Sequence, residues 1–376
     1  MNYQIESIQK FHYKKLLTII KKEAVLIVAT TLAIITSFFS TPKIEYIDFK
    51  VLVLLFNLMV VVAAFKELKV LDSIAMWLLS KCASHKSITA TLVFITFFAS
   101  TIVTNDVALI TFVPITLILS KKININPVLI VIFQTLAANL GSALTPMGNP
   151  QNLFIYSFFN IAPFEFFKIT MPLFLISIIF LILIIIIGKN TTYNFEIENV
   201  KVTSLKKVII FSVLLFIILL SVFHIIDYKI TFIMTLAIVL IINKSLLKFV
   251  DYSLLLTFIA FFIFIGNISS MQSINNIMSN LLSSSENTYF SSILVSQVIS
   301  NVPCAILMSG FTNHFRELLL GVNIGGLGTL IASLASVISY KLYINEYPSK
   351  GRDYLIKFTL INLLGLLLLV PIFYFF

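Results

Sequence analysis

The chain alternates long apolar runs with short polar connections. Runs at about 24–40, 48–66, 126–159, 164–188, 208–226, 229–243, 250–267, 319–344 and 354–375 each predict a full membrane span, because about 20 apolar residues cross the roughly 30 Å hydrocarbon layer. Two further apolar segments, 88–120 and 287–318, are interrupted in the middle by polar residues. They predict re-entrant hairpins that return to the side they entered from. The less apolar segments that precede them, 68–83 and 268–283, predict amphipathic helices lying along the interface.

The halves of the chain repeat one another. Without gaps, ANLGSALTPMGNPQNLFIY (138–156) aligns with VNIGGLGTLIASLASVISY (322–340), pairing Asn139 with Asn323, Gly141 with Gly325, Thr145 with Thr329 and Tyr156 with Tyr340. Order strengthens the match: an interfacial helix, a broken hairpin, a Gly-rich stretch and a closing helix follow one another in each half. The hairpin tips agree in kind, Thr104-Asn105-Asp106 in one and Ser300-Asn301-Val302-Pro303 in the other. Span 208–226 reverses the direction of the second unit. The predicted fold is an all-α polytopic membrane protein, an inverted-topology repeat of about nine full spans and two re-entrant hairpins. Its parts are a cytoplasmic segment 1–23, a first repeat 24–188, a linker with one span 189–228 and a second repeat 229–376. Inverted repeats of this kind are a transporter architecture with the site at the midplane.

Composition agrees with the pattern. Hydrophobic residues make up 59% and charged ones 11%, against about 45–50% and roughly 25% in soluble domains. No polar stretch is long enough for a large soluble domain. The net charge of +10 does not point to nucleic acid, because the basic residues sit in short loops. With the N-terminus in the cytoplasm, only Lys43, Lys50, Lys168, Lys229 and Arg316 of the 26 Lys and Arg fall outside, the bias that orients membrane proteins. This predicts a multi-pass protein of the plasma or inner membrane with its C-terminus outside. The basic N-terminus and the run 24–39 resemble a signal peptide without a cleavage site, and read as a retained first span. Cys82 and Cys304 are too few for a disulfide framework or zinc site, and the four histidines lie near predicted interfaces. Catalytic groupings inside spans are absent from the sequence, so an enzyme is not expected. A channel would not need opposed hairpins in an inverted repeat.

A helix broken inside the bilayer exposes backbone N–H and C=O groups, tolerated only where protein or a water-filled cavity satisfies them. Such breaks line sites: helix N-termini suit anions and free carbonyls suit Na⁺. Gly141, Gly325, Gly326 and Gly328 permit close approach, while Pro146 and Pro150 stop helices. Asp106 is the one acidic residue this reading places deep in the membrane, and such residues mark function by default. Burial disfavours its charge and a helix N-terminus favours it, so its state stays open. It either carries a coupling proton or ligates Na⁺, or it caps the helix 107–120, and both roles are compatible.

These motifs resemble the ion transporter superfamily: TND at one tip, SNVP at the other, and GSALTPMGNPQN between. The superfamily includes divalent anion/sodium symporters, citrate transporters, arsenite pump membrane subunits and a class of sodium/proton antiporters. The resemblance runs from about residue 48 to the C-terminus. It implies a homodimer in the bilayer and elevator-type motion, with Na⁺ or H⁺ as coupling ion and no other cofactor. Carried over, Asn105 and Asn301 contact substrate or Na⁺; Thr145, Gly148 and Asn149 complete one cation site, and 325–329 the other. The candidate binding residues are therefore Thr104, Asn105, Asp106, Thr145, Gly148, Asn149, Ser300, Asn301, Gly325, Gly328 and Thr329, with Na⁺ expected at Asn105, Asp106, Thr145, Asn149 and Asn301. The chain departs from the dicarboxylate pattern in carrying Asp106 at one tip and Val302-Pro303 at the other. The implied function is cation-coupled secondary transport of a small ion, an inorganic or carboxylate anion. The alternative is Na⁺/H⁺ antiport or arsenite efflux.

Overall fold

A computed structural model describes residues 23–188, 191–192 and 200–375. The expected N-terminal segment, apart from Glu23, lies outside the described residues, as do 189–190 and 193–199 of the linker. The described chain is helical. In order the helices are α1 (Ala24–Ser37), α2 (Phe49–Glu67), α3 (Val70–Leu79), α4 (His85–Val103), α5 (Asn105–Lys122), α6 (Val128–Ser142), α7 (Pro150–Phe158), α8 (Pro163–Ile186) and α9 (Leu205–Val222). There follow α10 (Tyr228–Ile242), α11 (Tyr252–Ser270), α12 (Gln272–Leu281), α13 (Ser285–Ile299), α14 (Asn301–Ser309), α15 (Phe315–Gly325), α16 (Leu334–Glu346) and α17 (Gly351–Phe375). Six of the described helices, α2, α4, α8, α9, α11 and α17, are long and apolar enough to cross a membrane alone. Many of their large apolar side chains, such as Leu183, Phe216 and Leu367, point outward. That arrangement suits a lipid solvent and is costly in water. The protein is a multi-pass α-helical membrane protein.

Each half supplies the same series: two helices, a ten-residue helix (α3, α12), a hairpin (α4–α5, α13–α14), a broken helix (α6–α7, α15–α16) and a closing helix (α8, α17). Packing crosses between halves as two-fold partners would. Helix α1 lies on α11 and α2 on α10, while α5 lies on α16 and α14 on α7. Buried amides clamp the first pairings: Asn57 of α2 donates to Thr231 of α10 (3.3 Å), and Asn267 of α11 donates to Thr36 of α1 (3.2 Å).

Three expectations need correction. The spans at 126–159 and 319–344 are not continuous. Each is two helices separated by a single 3₁₀ turn, Pro146–Gly148 in one and Leu330–Ala332 in the other, flanked by extended residues. Pro146 and Pro150 explain the first break. The second has no proline, and Gly328 at φ +101° supplies the irregular backbone. The second hairpin also ends earlier than 318. Helix α14 stops at Ser309, and the turn after it is held by Thr288 and Thr312, whose hydroxyls lie 3.0 Å apart, one donating to the other, each 3.3 Å from the Leu282 carbonyl. Neutral hydroxyls satisfy this turn, so no charge marks it in the sequence. Finally, Asp106 is not a helix cap: α5 begins at Asn105, whose side-chain oxygen accepts the Asp106 N–H at 3.0 Å.

Candidate functional site

The hairpins turn at single residues in nearly identical conformations. Thr104 has φ 73°, ψ 151° and Ser300 has φ 78°, ψ 153°. This region is essentially reserved for glycine and costs about 1–3 kcal/mol for other residues, a strain that collects at functional sites. The tips are 196 residues apart in sequence and the helix breaks 184 apart, so equivalent positions can be followed residue by residue. Thr145 donates its hydroxyl to the Thr101 carbonyl (2.6 Å), three residues before the first tip. Thr329 donates likewise to the Gln297 carbonyl (3.0 Å), three before the second. A β-carbon on Gly141 would collide with the Phe97 carbonyl, and one on Gly325 would sit 3.0 Å from Ile293 and Ser296. The first arm of each hairpin therefore rests directly on the backbone of the broken helix beside it.

A polar network joins the halves through the two repeat asparagines. Asn139 accepts from Asn105 (3.2 Å) and from Ser333 (3.0 Å) and donates to Ser336 (3.3 Å). Asn323 accepts from Asn149 (3.2 Å) and donates to Asn152 (2.7 Å). Ser333 and Ser336 are the repeat counterparts of Asn149 and Asn152. Each asparagine thus reaches across to the break of the opposite half, through the same two positions. These side chains are buried, where an unmade hydrogen bond is expensive.

At the centre, Asn105, Asp106, Pro150, Asn301, Ser333 and Leu334 line a cavity of about 20 Å³ together with Gln151, Leu254 and Val302. On that measure about 10–15 Å³ holds one water. Asn105, Pro150, Asn301 and Leu334 are the first residues of α5, α7, α14 and α16. Four helix N-termini therefore meet there. A second cavity of about 590 Å³ shares Asp106, Pro150, Leu254 and Leu334 with the first and extends to Lys66, Glu67, Lys69 and Asp251. Its walls are mostly apolar, and Thr104 and Asn149 also face it. The Asp106 side chain carries no hydrogen bond or ion pair among the described residues.

Of the sequence candidates, Thr104, Asn105, Asp106, Asn149 and Asn301 line these two cavities. Ser300 lies just behind, with its hydroxyl 3.4 Å from the Ala332 carbonyl. Thr145, Gly148, Gly325, Gly328 and Thr329 line neither; they shape the breaks. Gly148 packs on the Ser142 backbone, and Gly328 packs against Gln297. Sequence reasoning passed over Asn139 and Asn323 as site residues, although their identity in the repeat marked them. It passed over Asn152, Gln297 and Asp251 for want of any pattern.

The sequence is similar to known transporters. The sequence profile of the citrate transporter family matches residues 15–314. An uncharacterized transporter of Methanocaldococcus jannaschii is 36% identical over 336 residues, 86% of this chain and 89% of that protein. The inner membrane protein YbiR of Escherichia coli is 29% identical over 301 residues, 79% of this chain and 80% of its own length. The human P protein is 31% identical over 120 residues, 31% of this chain and 14% of that protein. The chain belongs to the citrate transporter family and is a membrane transporter.

Proposed function

We propose that the protein is a secondary active transporter of a small anion, coupled to a cation gradient, with its site where the two hairpin tips meet the two helix breaks. One observation carries the proposal: four helix N-termini converge on a single cavity beside an unpaired carboxylate. Each N-terminus acts as roughly +0.5 elementary charge, so four supply about +2. An ionised Asp106 removes one of these. The balance suits a monovalent anion while Asp106 is charged and a dianion once a proton or metal neutralises it. Such a link between cargo charge and the state of Asp106 is what coupling requires.

The small cavity holds about one water, so cargo must enter through the larger one or part the tips. The larger cavity runs toward Lys66, Lys69 and the 249–251 connection, loops that the charge bias assigns to the cytoplasm. This supports a state open to the inside. Motion of the hairpins against the α1, α2, α10 and α11 scaffold, as an elevator in a homodimer, is the accompanying proposal. A second reading, Na⁺/H⁺ antiport, draws on the unpaired Asp106 side chain.

The test is counterflow in proteoliposomes with labelled citrate, succinate, phosphate, sulfate and arsenite, beside Na⁺-driven proton movement. Saturable exchange of one anion supports the proposal. Proton movement without anion exchange favours the antiporter, and gradient-independent unitary currents would remove carrier transport altogether.

A further inference from the structure

Backbone carbonyls freed by a helix break are the groups that bind Na⁺ in many transporters. In both breaks here a side-chain amide already holds them. In the first, the Asn152 NH₂ group donates to the carbonyls of Ser142 (3.3 Å), Ala143 (3.1 Å) and Thr145 (3.2 Å). In the second, the Gln297 NH₂ group donates to the break carbonyls of Gly325 (2.7 Å) and Leu327 (3.0 Å) and to the Ile293 carbonyl of its own helix (3.2 Å), while its oxygen accepts the Thr329 N–H at 2.9 Å. Ala143 and Leu327 are repeat counterparts, so the same carbonyl is met in each half.

The amides come from positions that the repeat does not relate. Asn152 sits in the first turn of α7, where its counterpart in α16 is Ser336. Gln297 sits in the first hairpin arm of the second half, where its counterpart is Thr101. Neither counterpart can supply an NH₂ group. The two halves thus reach one arrangement by separate substitutions, which an inherited accident of duplication does not explain. The tip oxygens are also engaged: Asn105 accepts the Asp106 N–H (3.0 Å) and Asn301 accepts the Ser300 hydroxyl (3.4 Å). Asn149 accepts the Asn152 N–H (2.9 Å). Of the expected Na⁺ ligands, only the Asp106 carboxylate and the Thr145 hydroxyl, which donates to the Thr101 carbonyl, accept no hydrogen bond among the described residues, and one carboxylate with one hydroxyl does not make a Na⁺ site. The residues present do not fit the expected cation sites.

We infer that Asn152 and Gln297 stand permanently where coupling cations would bind, so that this transporter binds no Na⁺ at its helix breaks and runs without it. The inference rests on the transporter reading, and the test separates the two because Na⁺ binding is measured without transport. The full-length purified protein is melted in Na⁺ and in choline chloride at equal ionic strength. A ligand of the folded state stabilises it in proportion to its occupancy. Wild type is expected to melt identically in the two salts. Gln297→Ala, which uncovers the second set of carbonyls, is expected to gain a saturable Na⁺-specific rise in melting temperature. Gln297→Lys, which returns a nitrogen donor, is expected to lose it again. A saturable Na⁺-specific rise in wild type overturns the inference, and so does a folded Gln297→Ala that ignores Na⁺. Should Gln297→Ala fail to fold, the wild-type comparison decides alone. The counterflow panel bears only on the transporter reading.

Discussion

Replacing Asn323 by alanine probes the crossing of the halves. The side chain is 3% exposed and makes three hydrogen bonds: to Asn152 (2.7 Å), to the Leu319 carbonyl (2.7 Å) and from Asn149 (3.2 Å). Side-chain hydrogen bonds inside membrane proteins average about 0.6 kcal/mol each, so three are worth roughly 2 kcal/mol. The loss is not evenly shared. Asn149 keeps its bond to the Ser142 hydroxyl at 3.0 Å, and the Leu319 carbonyl keeps its place in α15. The Asn152 side-chain oxygen is left with no partner in a fully buried site, which adds about 1–3 kcal/mol. The expected destabilisation of Asn323→Ala is about 3–5 kcal/mol, read by equilibrium unfolding in mixed micelles. Asn139→Ala should cost a similar amount, because it strands the equivalent positions of the other half. In a double-mutant cycle, Asn323→Ala and Asn149→Ala should couple by about 0.6 kcal/mol. A loss below about 0.5 kcal/mol for both single variants would refute the claim that these asparagines hold the halves together.

Two further outcomes follow from the backbone. Gly141→Ala forces a methyl into the Phe97 carbonyl, whereas Gly325→Ala meets Ile293 and Ser296 at 3.0 Å; overpacking costs about 1–3 kcal/mol, so Gly141→Ala should melt well below Gly325→Ala in a thermal scan. Thr104→Gly and Ser300→Gly remove side chains from glycine-only conformations and should each stabilise the protein by about 1 kcal/mol, measured by the same unfolding assay; destabilisation by both would show that the tips are not strained.

The architecture could be read from the chain because apolar length and loop charge report directly on a bilayer. The repeat could be read because Asn139/Asn323, Gly141/Gly325 and Thr145/Thr329 each do the same physical work twice. Glycine is required where a hairpin arm touches the broken helix, and threonine where its hydroxyl pins the residue three before the tip. Other features left no periodic trace. The break at Leu330–Ala332 occurs in an ordinary apolar sequence, imposed by Gly328 and by the Gln297 amide from another helix. The end of α14 depends on hydroxyl pairing between residues 24 positions apart. Asp251 falls near the end of a predicted span and caps α11 by accepting the Leu254 N–H at 2.9 Å. That it also lines the larger cavity with Asp106 is a fact of tertiary packing alone. The Asp106 cap was a sound local expectation, overridden because Asn105 takes the first helical position and offers its own oxygen to the exposed N–H.

The central claim is that the meeting point of tips and breaks is the transport site, with Asp106 linking cargo to the driving ion. It is tested most directly by gradient-driven uptake into proteoliposomes, using whichever anion the counterflow panel identifies, for wild type, Asp106→Asn and Asn301→Ala. Asp106→Asn should retain exchange of unlabelled for labelled anion but lose accumulation against a gradient, at least tenfold, while Asn301→Ala should weaken both. Full gradient-driven accumulation by a folded Asp106→Asn protein would contradict the account.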